Sequence, residues 1–153
     1  MNNETMNNSK IAPLRVILCG PDKNVVLKNM FLPFASHPGG FEVLMMTTTL
    51  NAMVRDVKEM NPDLLVIDGS MTPPTDEFHS YLTRLVNATP IMVVFVVPDE
   101  KEGEELWTPK AVAAIDLIGD AIDILLAPVD WTKVAERSYS LFMERKVGMK
   151  AEL

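Results

Sequence analysis

Apolar residues along this chain come in short blocks separated by polar, proline and glycine punctuation, and the period inside each block assigns its element. Arg15 to Cys19 (RVILC) is a β-branched run closed by Gly20-Pro21, which reads as a buried strand meeting a turn. A helix over about 23–32 follows, with Val26 and Met30 on one face, and Pro33, Pro38, Gly39 and Gly40 break it. Phe41 to Thr47 (FEVLMMT) is a second strand. Leu50, Met53, Val54 and Val57 fall at i, i+3, i+4 and i+7, the spacing of one apolar helical stripe, and Asn61-Pro62 ends it. Leu64 to Ile67 (LLVI), closed by Asp68 and Gly69, reads as a strand covered on both faces. After the turn-forming residues 69–75, Phe78, Tyr81, Leu82, Leu85 and Val86 mark a third helix. Pro90 opens the most apolar strand, Ile91 to Val97, and Pro98 with the acidic stretch Asp99 to Glu105 makes a solvated loop. A fourth helix spans about Thr108 to Ile118, and a fifth strand, Ile122 to Leu126, stops at Ala127-Pro128. Asp130 is placed to cap a last helix through about Arg145 that buries Val134, Leu141 and Phe142.

Strand and helix alternate five times with no repeat and no Gly/Ser linker. Apolar strand runs of this kind need cover on both faces, and right-handed crossovers supply it. The pattern predicts one α/β domain over 13–146, a doubly wound five-stranded parallel sheet. A flexible polar tail, 1–12, precedes it, and a short tail, 147–153, follows.

Composition narrows the function. The 153 residues suit one domain, and 48% apolar with 23% charged is ordinary globular composition. With 14 Lys plus Arg against 21 Asp plus Glu the net charge is −7, which disfavours nucleic-acid binding by phosphate neutralisation. One cysteine cannot form an internal disulfide, and no Cys/His cluster has zinc spacing. No apolar run reaches the roughly 18 residues of a membrane span. Met1 to Lys10 lacks the apolar core of a signal peptide. A cytoplasmic domain that neither enters a membrane nor binds nucleic acid is expected.

Ligands of open parallel sheets sit beyond the carboxyl ends of the strands. The residues expected there are Gly20, Pro21 and Asp22, then Asp68, Phe95 to Pro98, and Ala127-Pro128. No P-loop and no Gly-x-Gly-x-x-Gly follows the first strand, which disfavours NTP hydrolysis and dinucleotide chemistry. A flavin is disfavoured too, since that turn lacks a Ser/Thr-rich phosphate loop. His37 and His79 do not follow strands and read as surface or satisfied residues, so no Ser/His/Asp arrangement forms and no enzyme activity is expected.

The order β-α-β-α-β-Asp, with Pro62-Asp63-Leu64-Leu65-Val66-Ile67-Asp68 leading into Met71-Thr72-Pro73, resembles the receiver domain of bacterial response regulators over about residues 14–145. The resemblance implies the flavodoxin-like (βα)5 fold, the phosphoacceptor position at Asp68, and Pro128 as the proline, often cis, after the fifth strand. It also implies a degenerate pocket. The acidic pair that holds Mg²⁺ in the family aligns with Gly20 and Pro21, which carry no side-chain oxygen, and Asp22 one residue on is a partial substitute or a helix cap. The hydroxyl that bonds the phosphoryl group falls on Phe95, the phosphate-pairing lysine on Ala127, and the read-out aromatic on Ile124. Mg²⁺ takes octahedral oxygen ligands, and loss of an electrostatic stabiliser costs on the order of 10²–10³ in rate. Asp68 is then either a phosphoacceptor or an inherited carboxylate bonded to local backbone N–H groups.

Two functions follow from the resemblance. One is a pseudo-receiver, without cofactor, that pairs with a protein partner or itself through about residues 108–145. Trp107 and Trp131 lie at the margins of that stretch as anchors or core, and Leu117, Ile118 and Met143 are candidate exposed apolar groups. The acidic stretch from Asp99 is a solvated loop or a contact for a basic partner. The alternative is a phosphorylatable single-domain regulator that takes phosphate on Asp68 from a histidine kinase, with Asp22 and Asp68 holding Mg²⁺. The Gly20-Pro21-Asp22 turn is also similar to the atypical receiver domains at the front of CpaE/TadZ-type pilus-assembly localisation proteins.

Overall fold

The computed structural model describes residues 12–99 and 106–151, the side chains of 146–151 excepted. Its elements run in strict alternation: β1 (Leu14–Cys19), α1 (Asn24–Ala35), β2 (Phe41–Thr47), α2 (Leu50–Met60), β3 (Leu64–Asp68), α3 (Asp76–Ala88), β4 (Met92–Val97), α4 (Pro109–Asp116), β5 (Ile122–Leu126) and α5 (Trp131–Ala151). The five strands are parallel and ordered β2-β1-β3-β4-β5. Alternate residues of the central strands feed two cores. Ile17, Leu65, Ile67 and Phe95 meet Met53, Phe78, Leu82 and Ile115 from α2, α3 and α4. Val16, Leu18, Val66 and Val94 meet Met30, Phe34, Val134 and Ala135 from α1 and α5. Each such side chain taken from water stabilises the fold by about 1.5–3 kcal/mol, so the doubly wound arrangement follows from strands apolar on both sides.

Polar residues join and end the elements. Threonines cap α2, α3 and α4: the hydroxyls of Thr49, Thr75 and Thr108 accept from the N–H groups of Ala52, Phe78 and Ala111. Asn61 ends α2 in the left-handed region (φ 49°), where its N–H donates to the Val57 carbonyl. The Pro62-Asp63 lead-in is structural, because the Asp63 carboxylate accepts from the Arg15 N–H at 3.0 Å and so joins β3 to β1.

Three expectations are corrected. Helix α1 crosses Pro33 and ends at Ala35 instead of stopping near residue 32. The proline falls in the last turn, so the ring deprives only one carbonyl, that of exposed Asn29, of its donor, while the extra turn buries Phe34 completely. Asp22 does not cap this helix. The cap position is Lys23, without a side-chain hydrogen bond, and the Lys23 N–H turns back to the Pro21 carbonyl at 2.7 Å. Helix α5 runs past Arg145 to Ala151, so 147–151 is helix and not tail; Asp130 starts it as expected, accepting from the Thr132 N–H at 2.9 Å. The acidic stretch from Glu100 to Glu105 and tail residues 1–11 lie outside the described residues.

Candidate functional site

Asp68 ends β3, half-buried, at the carboxyl edge of the sheet. Its Oδ1 accepts from both the N–H and the hydroxyl of Ser70, at 3.0 and 2.8 Å. The carboxylate thereby caps the single 3₁₀ turn Gly69–Met71. Ser70, two residues on, is a partner that an Asx-turn reading of Asp-Gly-Ser would have found. Gly69 is needed for contact, not for its dihedrals. A Cβ there would lie 2.7 Å from the Phe95 ring and 2.9 Å from the Val96 carbonyl oxygen.

Phe95 stands beside Ile67 in the sheet register and is fully buried. Its ring meets Trp107 at 4.8 Å and Phe78 at 5.9 Å between centroids, and Phe78 meets Trp107 edge-on at 6.0 Å. The Trp107 indole N–H donates to the carbonyls of Gly69 (3.0 Å) and Thr72 (3.1 Å). One side chain therefore ties the loop after Asp68 to the start of α4. Of its two readings, Trp107 takes the core one; Trp131 is half-buried and packs with the α1/α5 core. The latch was not visible in the sequence, where Trp107 reads only as an anchor or a core residue at the margin of 108–145.

The other pocket positions follow β1 or lie on or just after β5. Gly20 is buried, and its N–H donates to the Thr47 carbonyl at 3.0 Å. Asp22 is exposed. Ile124 is level with Phe95 on the neighbouring strand and half-buried. The Ala127 N–H donates to the Val97 carbonyl at 2.9 Å, and the Ala127-Pro128 bond is cis. As a donor set for Mg²⁺ the site is short of oxygen: Gly20 and Pro21 bring no side-chain oxygen, and one Asp68 oxygen already accepts twice. No group of three or more His, Cys, Asp or Glu suited to a metal occurs among the described residues.

Both histidines have partners. The His37 Nδ1 accepts from the Gly39 N–H at 2.9 Å, and the His79 Nε2 lies 3.2 Å from the Ala114 carbonyl. Along 108–145, Leu117 is 84% exposed and Leu126 69%, whereas Ile118 and Met143 are half-buried. Arg137 clamps Asp123 through two hydrogen bonds of 2.7 and 3.0 Å, fastening α5 to β5. No helix among the described residues is long and apolar enough to cross a membrane.

Comparison of the fold with solved structures returns receiver domains. The chain is similar to the signal receiver domain of the response regulator NarL from Mycobacterium tuberculosis, at 18% identity and TM-score 0.60 over 87% of this chain and 98% of that one. It is similar to the receiver domain of a modulated diguanylate cyclase from Desulfovibrio desulfuricans, at 14% identity and TM-score 0.66 over 90% and 99%. A pilus assembly-related protein from Burkholderia pseudomallei matches at 14% identity and TM-score 0.62 over 85% and 90%. No family model and no curated protein matches by sequence. The fold is that of response-regulator receiver domains, in agreement with the resemblance carried by the Asp68 segment, and the pilus-related likeness has a structural counterpart.

Proposed function

We propose that this chain is an atypical receiver domain of two-component-type signalling that works without phosphorylation, as a protein-interaction or dimerisation module through the face formed by about residues 108–145. The observation that carries the reading is what surrounds Asp68. Its carboxylate caps its own turn, and Phe95 and Trp107 fill the space beside it with packed rings instead of a hydroxyl and a mobile aromatic. Phosphoryl transfer to a carboxylate needs charge stabilisation by a cation and hydrogen-bond donors. Gly20, Pro21, Phe95 and Ala127 supply none of it from their side chains. Exposed Leu117, just after the end of α4, and exposed Leu126, at the end of β5, support an interaction role.

Incubation with acetyl phosphate and Mg²⁺, followed by intact-mass measurement, tests the reading. The expected result is no mass gain. A phosphoryl adduct that disappears in Asp68→Asn would replace this reading with a phosphorylatable regulator fed by a histidine kinase.

A further inference from the structure

Between α4 and β5 lies an open trough of about 720 Å³, within the size range of sites that hold a ligand or an anchoring side chain. Pro109, Val112, Ala113 and Asp116 recur at i, i+3, i+4 and i+7, so one stripe of α4 forms a wall. Ile124 and Leu126, on one face of β5, form the other, and Trp107 closes the inner side. The helix runs antiparallel to the strand. Asp116 therefore stands at one end of the trough, and Asp99, which follows β4, stands at the other. The wall from Pro109 to Asp116 is about 10 Å long, at 1.5 Å per residue.

The charges are one-sided. Among the described residues that line the trough none is Lys, Arg or His. Asp116 sits at the C-terminus of α4, whose last turn has no basic residue. The carboxylate thus adds to the partial negative charge of a helix end, an unfavourable placement that an incoming cation would relieve. A second copy of this chain is a poor occupant, because each copy carries −7 and would meet its own charge sign.

We propose that the trough docks a basic–apolar segment of a partner protein, with apolar side chains between α4 and β5 and a Lys or Arg directed at Asp116. The proposal rests on the interaction reading above and names the partner's chemistry. Burial of Leu126 and Ile124 supplies the attraction. The Asp116 carboxylate selects against acidic segments.

The test uses the full ¹⁵N-labelled chain titrated with a capped peptide of leucine-alanine-leucine between two arginines, and with its counterpart ending in glutamates. The arginine peptide is expected to shift amide signals within 109–117 and 122–126. Its affinity should fall about threefold in Asp116→Asn, as for an exposed charge pair, and binding should be lost in Ala113→Trp, which fills the trough from an exposed position. Should Ala113→Trp fail to fold, Asp116→Asn and the glutamate peptide decide. Equal binding of both peptides, no shifts with either whether or not acetyl phosphate and Mg²⁺ are present, or shifts elsewhere would overturn the proposal. So would a dimer in sedimentation that buries 109–126. Repeating the titration with acetyl phosphate and Mg²⁺ separates the two claims: arginine-peptide binding that needs the phosphoryl donor upholds the trough and overturns phosphorylation independence.

Discussion

Tyr81 carries a hydroxyl that folding buries without giving it a hydrogen-bond partner. A buried polar group left unpaired costs about 1–3 kcal/mol. Burial, helped by nearby Cys19, also pushes the phenol up to about 12. The Cys19 thiol is likewise pushed up to about 12, by its own burial against a smaller opposing effect of the Thr47 hydroxyl. The folded state therefore holds both protons more tightly than the unfolded chain, whose Cys and Tyr ionise near 8.5 and 10. Stability from these groups is whole below about pH 8.5 and is lost as pH rises toward about 12, by up to about 1.4 kcal/mol per pH unit per group. Tyr81→Phe should leave stability at neutral pH unchanged or raise it by about 1 kcal/mol, and should flatten the alkaline decline. Urea denaturation midpoints near pH 7 and pH 11 check this; a clear loss at neutral pH would mean the hydroxyl is satisfied in solution. At this scale the sequence was informative where chemistry is local. Asp68 bonding within its own turn was legible, because its donors lie two residues away. The Trp107 latch was not, because its acceptors Gly69 and Thr72 are distant in sequence and are backbone atoms.

Helix ends divide the elements into well and poorly specified ones. Helices α2, α3 and α4 each start at a threonine whose hydroxyl takes an orphan N–H, and their starts were readable to within a residue or two. Helix α1 has no such device. Its cap residue Lys23 has extended backbone (φ −138°, ψ 119°) but no side-chain acceptor, and Asp22 falls one position early. Lys23→Ser should add the missing hydrogen bond and stabilise the protein by about 0.5–1.5 kcal/mol, seen as a higher urea midpoint at unchanged slope. No gain would mean the Lys23 N–H turn to the Pro21 carbonyl holds the loop in a geometry a serine cannot use. Reading Pro33 as a stop failed for a related reason. Breaker rules describe helix interiors, whereas this proline sits in a last turn that is held by burial of Phe34.

The doubly wound parallel sheet was legible because central strands apolar on both faces need helices on both sides, and its strand order came only with the resemblance carried by the Asp68 segment. The trough was not legible. It is the gap left between α4 and the edge strand β5, a property of packing distance that no spacing along the chain encodes. The same packing makes a prediction about the domain as a unit. Central strands β1, β3 and β4 are buried nearly throughout, while β5 at the edge is half exposed, so amide hydrogens should exchange slowest in the centre and faster in β5. A phosphorylation switch would redistribute that protection, because the loop after Asp68 would have to release α4. Here Trp107 joins the two through the Gly69 and Thr72 carbonyls, and the Phe78–Phe95–Trp107 rings back the joint from the core. Beryllofluoride with Mg²⁺ is therefore expected to leave exchange over 95–97 and 107–116 unchanged. Slowed or quickened exchange confined to those stretches, and absent in Asp68→Asn, would show that the ring cluster is a hinge and not a lock.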